Sequence, residues 1–313
     1  MTGLFAQPAG VTVSPDSSKV FVTGLSQAYA YSGDYATVAY RAGTGAVIWA
    51  RRYNGPANAD DDASALTISP DGSKVFVTGS SEGSTYVEYA TVAYNAGTGA
   101  IIWTKRYHGP QPGVGDIASA LTVSPDGSKV FVTGESGLDY GTVAYKAGTG
   151  AVVWTKRYIG PGNSYDVPSA VVVSPNGANV FVTGQSLGKT GTYDYATVAY
   201  KAGTGAVVWT KRYNGPASSS DDANAAAVSP DGTTVFVTGQ SLGRTGYYDY
   251  ATVAYDAGTG AVMWTQRYNG PASRDDQAYA VAVSPDSTKV FVTGFSHRSI
   301  SGEDYTTIAY SAV

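Results

Sequence analysis

Hydrophobic and polar positions along the chain follow one repeating scheme. Runs of four to eight residues rich in Val, Thr, Ile, Tyr and Phe alternate with short clusters of Gly, Pro, Asn, Asp and Ser, which is the signature of strands and turns. No segment sustains a helical apolar period. The stretch from Thr122 to Tyr158, TVSPDGSKVFVTGESGLDYGTVAYKAGTGAVVWTKRY, occurs six times with light edits. Its turn serine falls at Ser14, Ser69, Ser124, Ser174, Ser229 and Ser284, giving spacings of 55, 55, 50, 55 and 55. Self-similarity at such a period points to a repeat architecture.

Each repeat reads as four strands. Strand a precedes the turn (ASALTIS from Ala63), b is KVFVTG from Lys74, c is YATVAY from Tyr89 and d is AIIWTKRY from Ala100. In Ser69-Pro70-Asp71-Gly72, Pro presets φ at the second position and Gly suits the fourth, as a type I turn requires. Ala96-Gly97-Thr98-Gly99 joins c to d through a second tight hairpin. The b–c connection varies, from ESGLD after Gly134 to QSLGKTGTYD after Gly184, and so does d–a (NGPANADDD, HGPQPGVGD, NGPASSSDD). Small residues gather in strand a (Ala63, Ala65, Ala223, Ala225, Ala227), whereas all five Trp, at 49, 103, 154, 209 and 264, lie in strand d. Close packing of sheets radiating from an axis requires this small-to-large filling. The expected fold is therefore all-β: a single six-bladed β-propeller domain over residues 1–313, with repeats starting near 11, 63, 118, 168, 223 and 278. A solenoid coil has no room for four strands and two hairpins per repeat.

The motif V-S-P-D-G-S-K-V-F-V-T-G resembles the repeat of YVTN-type bacterial surface propellers, and Y-K-A-G-T-G-A-V-V-W the T-G-x-x-x-W motif of quinoprotein-like blades. With D-Y-A-T-V-A-Y, the combination is similar to SBBP-type propeller repeats over nearly the whole chain. The resemblance implies an extracellular or cell-surface location, with any leader outside this chain. It is specific for fold and not for activity, since propellers host unrelated functions. Quinoprotein enzymes generally carry eight blades and bind their cofactor through non-repeat residues, and no inserted segment supplies such residues here.

The sixth repeat ends at strand c, giving six a, six b, six c and five d strands. Either residues 1–6 supply the missing d strand, or the last blade keeps an open side near Tyr305, Thr307 and Ala309. An open strand is a template for another chain, so this is the candidate assembly site.

Composition narrows the function. Net charge is −4 without a basic cluster, which argues against nucleic acid. There is no Cys, hence no disulfide or thiolate chemistry. No apolar run of 18 residues exists to span a membrane as a helix.

Candidate chemistry concentrates on the d–a and b–c side, where loops vary over a rigid scaffold. Eight residues before five of the turn serines stands an acid: Asp61, Asp116, Asp166, Asp221 and Asp276. These are either a carboxylate collar for Ca²⁺ or a polar ligand, or structural acids that bind local backbone N–H groups and pair with the strand-d arginines Arg52, Arg106, Arg157, Arg212 and Arg267. A second acid precedes strand c at Asp34, Glu88, Asp139, Asp194, Asp249 and Asp304. Departures from the repeat are few: His108, Glu135, His297 and Arg298. No catalytic triad or carboxylate pair stands out, and no cofactor is expected. The loop tyrosines Tyr29, Tyr31, Tyr86, Tyr193, Tyr247 and Tyr248 either pack their loops or stack on sugars. The expected function is a non-catalytic scaffold or interaction protein, self-associating or binding another protein through the last blade. The alternative is a glycan- or small-ligand-binding propeller; a hydrolase or quinoprotein-like enzyme is the least favoured reading.

Overall fold

The computed structural model describes residues 5–29, 32–111, 113–299 and 302–312, without the side chains of Phe5, Ala28 and Tyr29. Every element among the described residues is a strand. Sheet one holds β1 (Phe5–Val13), β2 (Lys19–Tyr29), β3 (Ser32–Arg41) and β4 (Val47–Tyr53); sheet two holds β5 (Asp61–Ile68), β6 (Lys74–Glu82), β7 (Val87–Asn95) and β8 (Ile101–Tyr107). Sheet three holds β9 (Asp116–Val123), β10 (Lys129–Ser136), β11 (Asp139–Lys146) and β12 (Val152–Tyr158). Sheet four holds β13 (Asp166–Val173), β14 (Asn179–Leu187), β15 (Tyr193–Lys201) and β16 (Val207–Tyr213); sheet five holds β17 (Asp221–Val228), β18 (Thr234–Leu242), β19 (Tyr248–Asp256) and β20 (Val262–Tyr268). Sheet six has three strands, β21 (Asp276–Val283), β22 (Lys289–Ser299) and β23 (Gly302–Ser311). The chain divides into two compact units, residues 1–157 and 158–313, with three sheets to each.

Strand b runs further than its apolar core suggests. Much of what reads as b–c loop continues the ladder: Glu135 pairs with Tyr140 and Ser136 with Asp139, leaving a two-residue turn at Gly137–Leu138. Strand a bulges where b carries its glycine. A Cβ at Gly79 would stand 2.0 Å from the Asp62 carbonyl, so the bulge between Ala63 and Ala65 needs glycine opposite it. The two hairpin turns form as the sequence predicts. Gly72 N–H donates to the Ser69 carbonyl at 2.8 Å, and Gly99 N–H to Asn95 at 2.8 Å, both glycines at positive φ.

Within each unit consecutive sheets pack face to face. Phe21, Tyr35, Ala39 and Trp49 of sheet one close on Val75, Val77, Val92 and Tyr94 of sheet two. The indole N–H of Trp49 donates to the Ala96 carbonyl at 3.0 Å, Trp103 to Ala147 at 2.9 Å and Trp209 to Ala257 at 3.1 Å. These three tryptophans are thus inter-sheet wedges whose polar atom is satisfied, whereas the indole nitrogen of Trp264, which faces the three-stranded last sheet, is buried without a partner among the described residues. The strand-c tyrosines do the same near the other end: Tyr35 donates to Ala90, Tyr89 to Gly141, Tyr195 to Ala251 (each 3.1 Å) and Tyr250 to Thr306 (3.2 Å).

Candidate functional site

The five strand-a acids sit at the first residue of β5, β9, β13, β17 and β21 and are fully buried. Each accepts a hydrogen bond from the glycine N–H of its own d–a loop: Gly55 to Asp61 at 2.6 Å, Gly109 to Asp116 at 2.8 Å, Gly160 to Asp166 at 2.5 Å, Gly215 to Asp221 at 2.6 Å and Gly270 to Asp276 at 2.5 Å. The Asn/His/Ile-Gly-Pro loop is thereby pinned to the strand it precedes. Burial pushes the Asp61 and Asp221 carboxyls above the usual range, partly offset by those N–H groups and by the neighbouring serine hydroxyls. Among the described residues no three acids or histidines gather as a metal cluster.

The expected pairing of these acids with the strand-d arginines is overturned. Each arginine instead takes the second acid of its own sheet: Arg52–Asp34 and Arg106–Glu88 at 2.6 Å, Arg157–Asp139 at 2.5 Å, Arg212–Asp194 at 2.8 Å and Arg267–Asp249 at 2.7 Å. The register explains it. Arg212 stands opposite Ala196 on β15, two residues along from Asp194, so its guanidinium reaches that carboxylate and the Ser186 carbonyl at 2.7 Å. Arg106 and Arg212 also bond the Tyr53 and Tyr158 hydroxyls at 3.2 and 3.1 Å. In sheet six, where the described residues supply three strands, Asp304 meets Arg298 loosely at 3.8 Å, and both side chains are exposed.

The loop tyrosines separate. Tyr31 lies outside the described residues, as does the side chain of Tyr29. Tyr86 stacks on His108, centroids 5.4 Å apart and rings 8° from parallel, while His108 Nδ1 lies 2.7 Å from Asp116 Oδ2. His108 thus ties its loop to the strand-a acid. Nearby, burial and the charge of Asp116 push the Glu135 carboxyl up. Tyr193 is half-buried at the start of β15. Tyr247 lies beneath the Arg274 guanidinium at 5.8 Å, and the Tyr248 N–H donates to Asp275 at 2.9 Å. His297 packs edge-on against Phe295 at 5.0 Å.

The last sheet carries the largest departure from the repeat. Tyr305, Thr307 and Ala309 occupy one face of β23, and all three are exposed, Tyr305 at 87%. Phe291 on β22 joins them. Phe5 and Ala6 pair with Gln27 and Ser26 in sheet one, so those two residues extend β1 and do not supply the missing strand; residues 1–4 are outside the described residues. Sequence reasoning places an open edge here; the structure adds an uncovered apolar face. It also overlooks Asp222 of β17 with Gln240 of β18, which the doubled acid Asp221-Asp222 does not mark, because Asp61-Asp62 repeats that pattern opposite Ser80.

A search of curated proteins returns no match in sequence. Solved structures do match in fold. The hydrazine synthase of Kuenenia stuttgartiensis aligns over 91% of this chain and 73% of its own, at 18% identity and a TM-score of 0.66. The Dos1 propeller aligns over 97% and 68%, at 13% identity and 0.63. A putative 6-phosphogluconolactonase of Bacteroides fragilis aligns over 97% and 84%, at 13% identity and 0.56. Identities this low establish the propeller fold and nothing of the chemistry. The sequence profile of one family matches residues 6–186 and again 139–308, two overlapping passes that take in nearly every repeat. The chain is a β-propeller repeat protein and belongs to the family described as outer membrane protein assembly factor BamB.

Proposed function

We propose that this chain is a non-catalytic interaction propeller that self-associates through its last sheet. The observation that carries the reading is the uncovered face of β23. In the interior sheets the corresponding tyrosine donates to a strand-c carbonyl of the following sheet, and the Ala90 carbonyl receives both Tyr35 and Thr78. The first sheet presents the complementary face. Its Ala36 carbonyl receives Thr23 at 3.2 Å, and beside it Val22, Val38 and Tyr40 line an apolar groove of about 370 Å³, with Val11 66% exposed. Sheet six of one copy therefore meets in sheet one of a second copy the same partner that Tyr250 meets in Thr306. Such a contact is heterologous and propagates unless rotation closes it. The family's description as an assembly factor supports an interaction role.

The finer likeness to SBBP and YVTN surface propellers, an extracellular or envelope location, and action without a cofactor are parts of the same proposal. The strand-a acids then serve as loop clamps, since each already holds a glycine N–H. Several structural neighbours are named for enzymes, so the fold leaves a catalytic role open; the repeated acids favour none, because one reaction centre needs unlike groups in one place.

Light scattering behind size exclusion, over a hundredfold range of concentration (~1 to ~100 μM, spanning the weak-to-moderate affinities of such contacts), tests the reading. Mass should rise with concentration in the parent and stay monomeric in Tyr305→Lys. A parent that remains strictly monomeric throughout overturns it.

A further inference from the structure

The second unit holds an open cavity of about 230 Å³ among its inner strands, bounded by Gln185 of β14, Asp222 and Asn224 of β17, Gln240 of β18, and Gln277 and Tyr279 of β21. Unlike the clamps and braces, the combination of Asp222 opposite Gln240 occurs in one sheet only among the described residues. Sheet two has Asp62 at the first position but Ser80 opposite it, sheet three has Ile117 and Glu135, sheet four has Val167 and Gln185, and sheet six has Gln277 and Phe295. Broken symmetry of this kind is what a site requires and what a structural repeat does not.

The cavity is held in shape. Gln240 Nε2 donates to Asp222 Oδ2 at 2.6 Å, Asn224 Nδ2 donates to the Ala278 carbonyl at 2.8 Å, and the Tyr279 hydroxyl donates to Gln277 Oε1 at 2.8 Å. Two acceptors remain: Asp222 Oδ1 and Gln240 Oε1 are both buried and without a hydrogen-bond partner. Buried acceptors are normally satisfied, and two orphans on residues lining one cavity are costly. Burial also pushes the Asp222 carboxyl up, against the pull of the Gln240 amide.

We infer that this cavity binds a small polyhydroxylated ligand, a single sugar residue free or at the end of a glycan. A sugar hydroxyl both donates and accepts, so adjacent hydroxyls satisfy the orphan acceptors and meet the donors of the surrounding amides. A metal ion needs more carboxylates than the single one here, and an ammonium ion leaves the amide N–H groups unmatched. Tyr279, 55% exposed at the rim, offers an aromatic face with a polar tip. The volume falls below the ~300–1,000 Å³ of sites for larger ligands, which fits one ring. The inference is independent of self-association.

Saturation-transfer NMR with methyl glycosides of the common hexoses and pentoses tests it, followed by calorimetry on any that respond. At least one glycoside should bind the parent. Its affinity should fall about tenfold or more in Gln240→Leu and Asp222→Asn, each removing one acceptor, and remain in Lys189→Ala on an exposed loop. Thermal melts identify any variant that fails to fold; Tyr279→Ala, at the exposed rim, then supplies the comparison and should also weaken binding. Absence of response to every glycoside, binding unchanged in all three site variants, or uptake of Ca²⁺ or methylammonium at this cavity in place of a glycoside overturns the inference.

Discussion

β19 and β23 carry almost the same residues, Asp-Tyr-Ala-Thr-Val-Ala-Tyr against Asp-Tyr-Thr-Thr-Ile-Ala-Tyr, yet they live in different surroundings. Tyr250, Thr252 and Ala254 of β19 are fully buried, while Tyr305, Thr307 and Ala309 of β23 are exposed. Sheet one shows the reverse alternation: Tyr35, Thr37 and Ala39 are buried, and Ala36, Val38 and Tyr40 on the other face are only partly covered. An interior strand c is apolar on both faces because it has a neighbour on both. Sheets one and six keep that two-faced pattern although one face of each strand c is exposed or only partly covered. A surface that meets water carries polar residues at alternate positions; these faces keep the residues of a buried strand.

The sharpest way to break the comparison is to truncate equivalent tyrosines. Tyr195→Ala removes a buried ring and its inter-sheet hydrogen bond and should cost about 3–5 kcal/mol. Tyr305→Ala, measured by urea unfolding at concentrations where the chain is monomeric, should stay within about 0.5 kcal/mol. Equal costs would mean that the face of β23 is covered after all. The arginine braces give the next contrast. Arg212→Ala strands Asp194 and frees the Ser186 carbonyl, and should cost about 1–3 kcal/mol once partial exposure is allowed for. Arg298→Ala, whose contact with Asp304 is long and solvated, should cost close to nothing by the same denaturation measurement.

The acids sharpen the comparison with smaller effects. In the hairpin turns the Ser124 and Ser128 groups hold the Asp126 carboxyl at about 2, and Ser284 and Thr288 hold Asp286 of the terminal sheet at about 2 as well. Their folded values lie below the unfolded one, so their contribution is complete above about pH 4 and is lost as pH falls toward 2. Asp126→Asn should flatten that part of the stability profile, and Asp286→Asn should do so equally, because the turn is local. Asp222 has the opposite sign. Its folded value is raised, so the charged form carries a cost that is full at neutral pH and absent below the ordinary carboxylate range. Asp222→Asn should therefore melt slightly higher than the parent at pH 7, with the gap closing near pH 4; a lower melting point at pH 7 would contradict the burial ascribed to it.

The strands, the two tight turns, the six copies and the missing fourth strand were legible in the sequence, because period-two alternation and Gly, Pro and Asp punctuation are local properties. The clamp on each glycine N–H was legible as one of two alternatives. The partner of each arginine was not: Arg212 and Asp194 are 18 residues apart on neighbouring strands, and only the register of β15 against β16 brings them together. The Asp222–Gln240 pair was invisible for the same reason, since two ordinary polar residues gain meaning only when a bulge and a facing sheet leave a cavity beside them.

By itself, then, the sequence determined the blade: which residues form strands, where they turn, and that six copies occur. Tertiary structure alone decided which faces are covered, which acid holds which base, and where unlike polar groups converge. Backbone pattern is written within a few residues, whereas burial and charge pairing depend on which strand lies alongside or which sheet lies across.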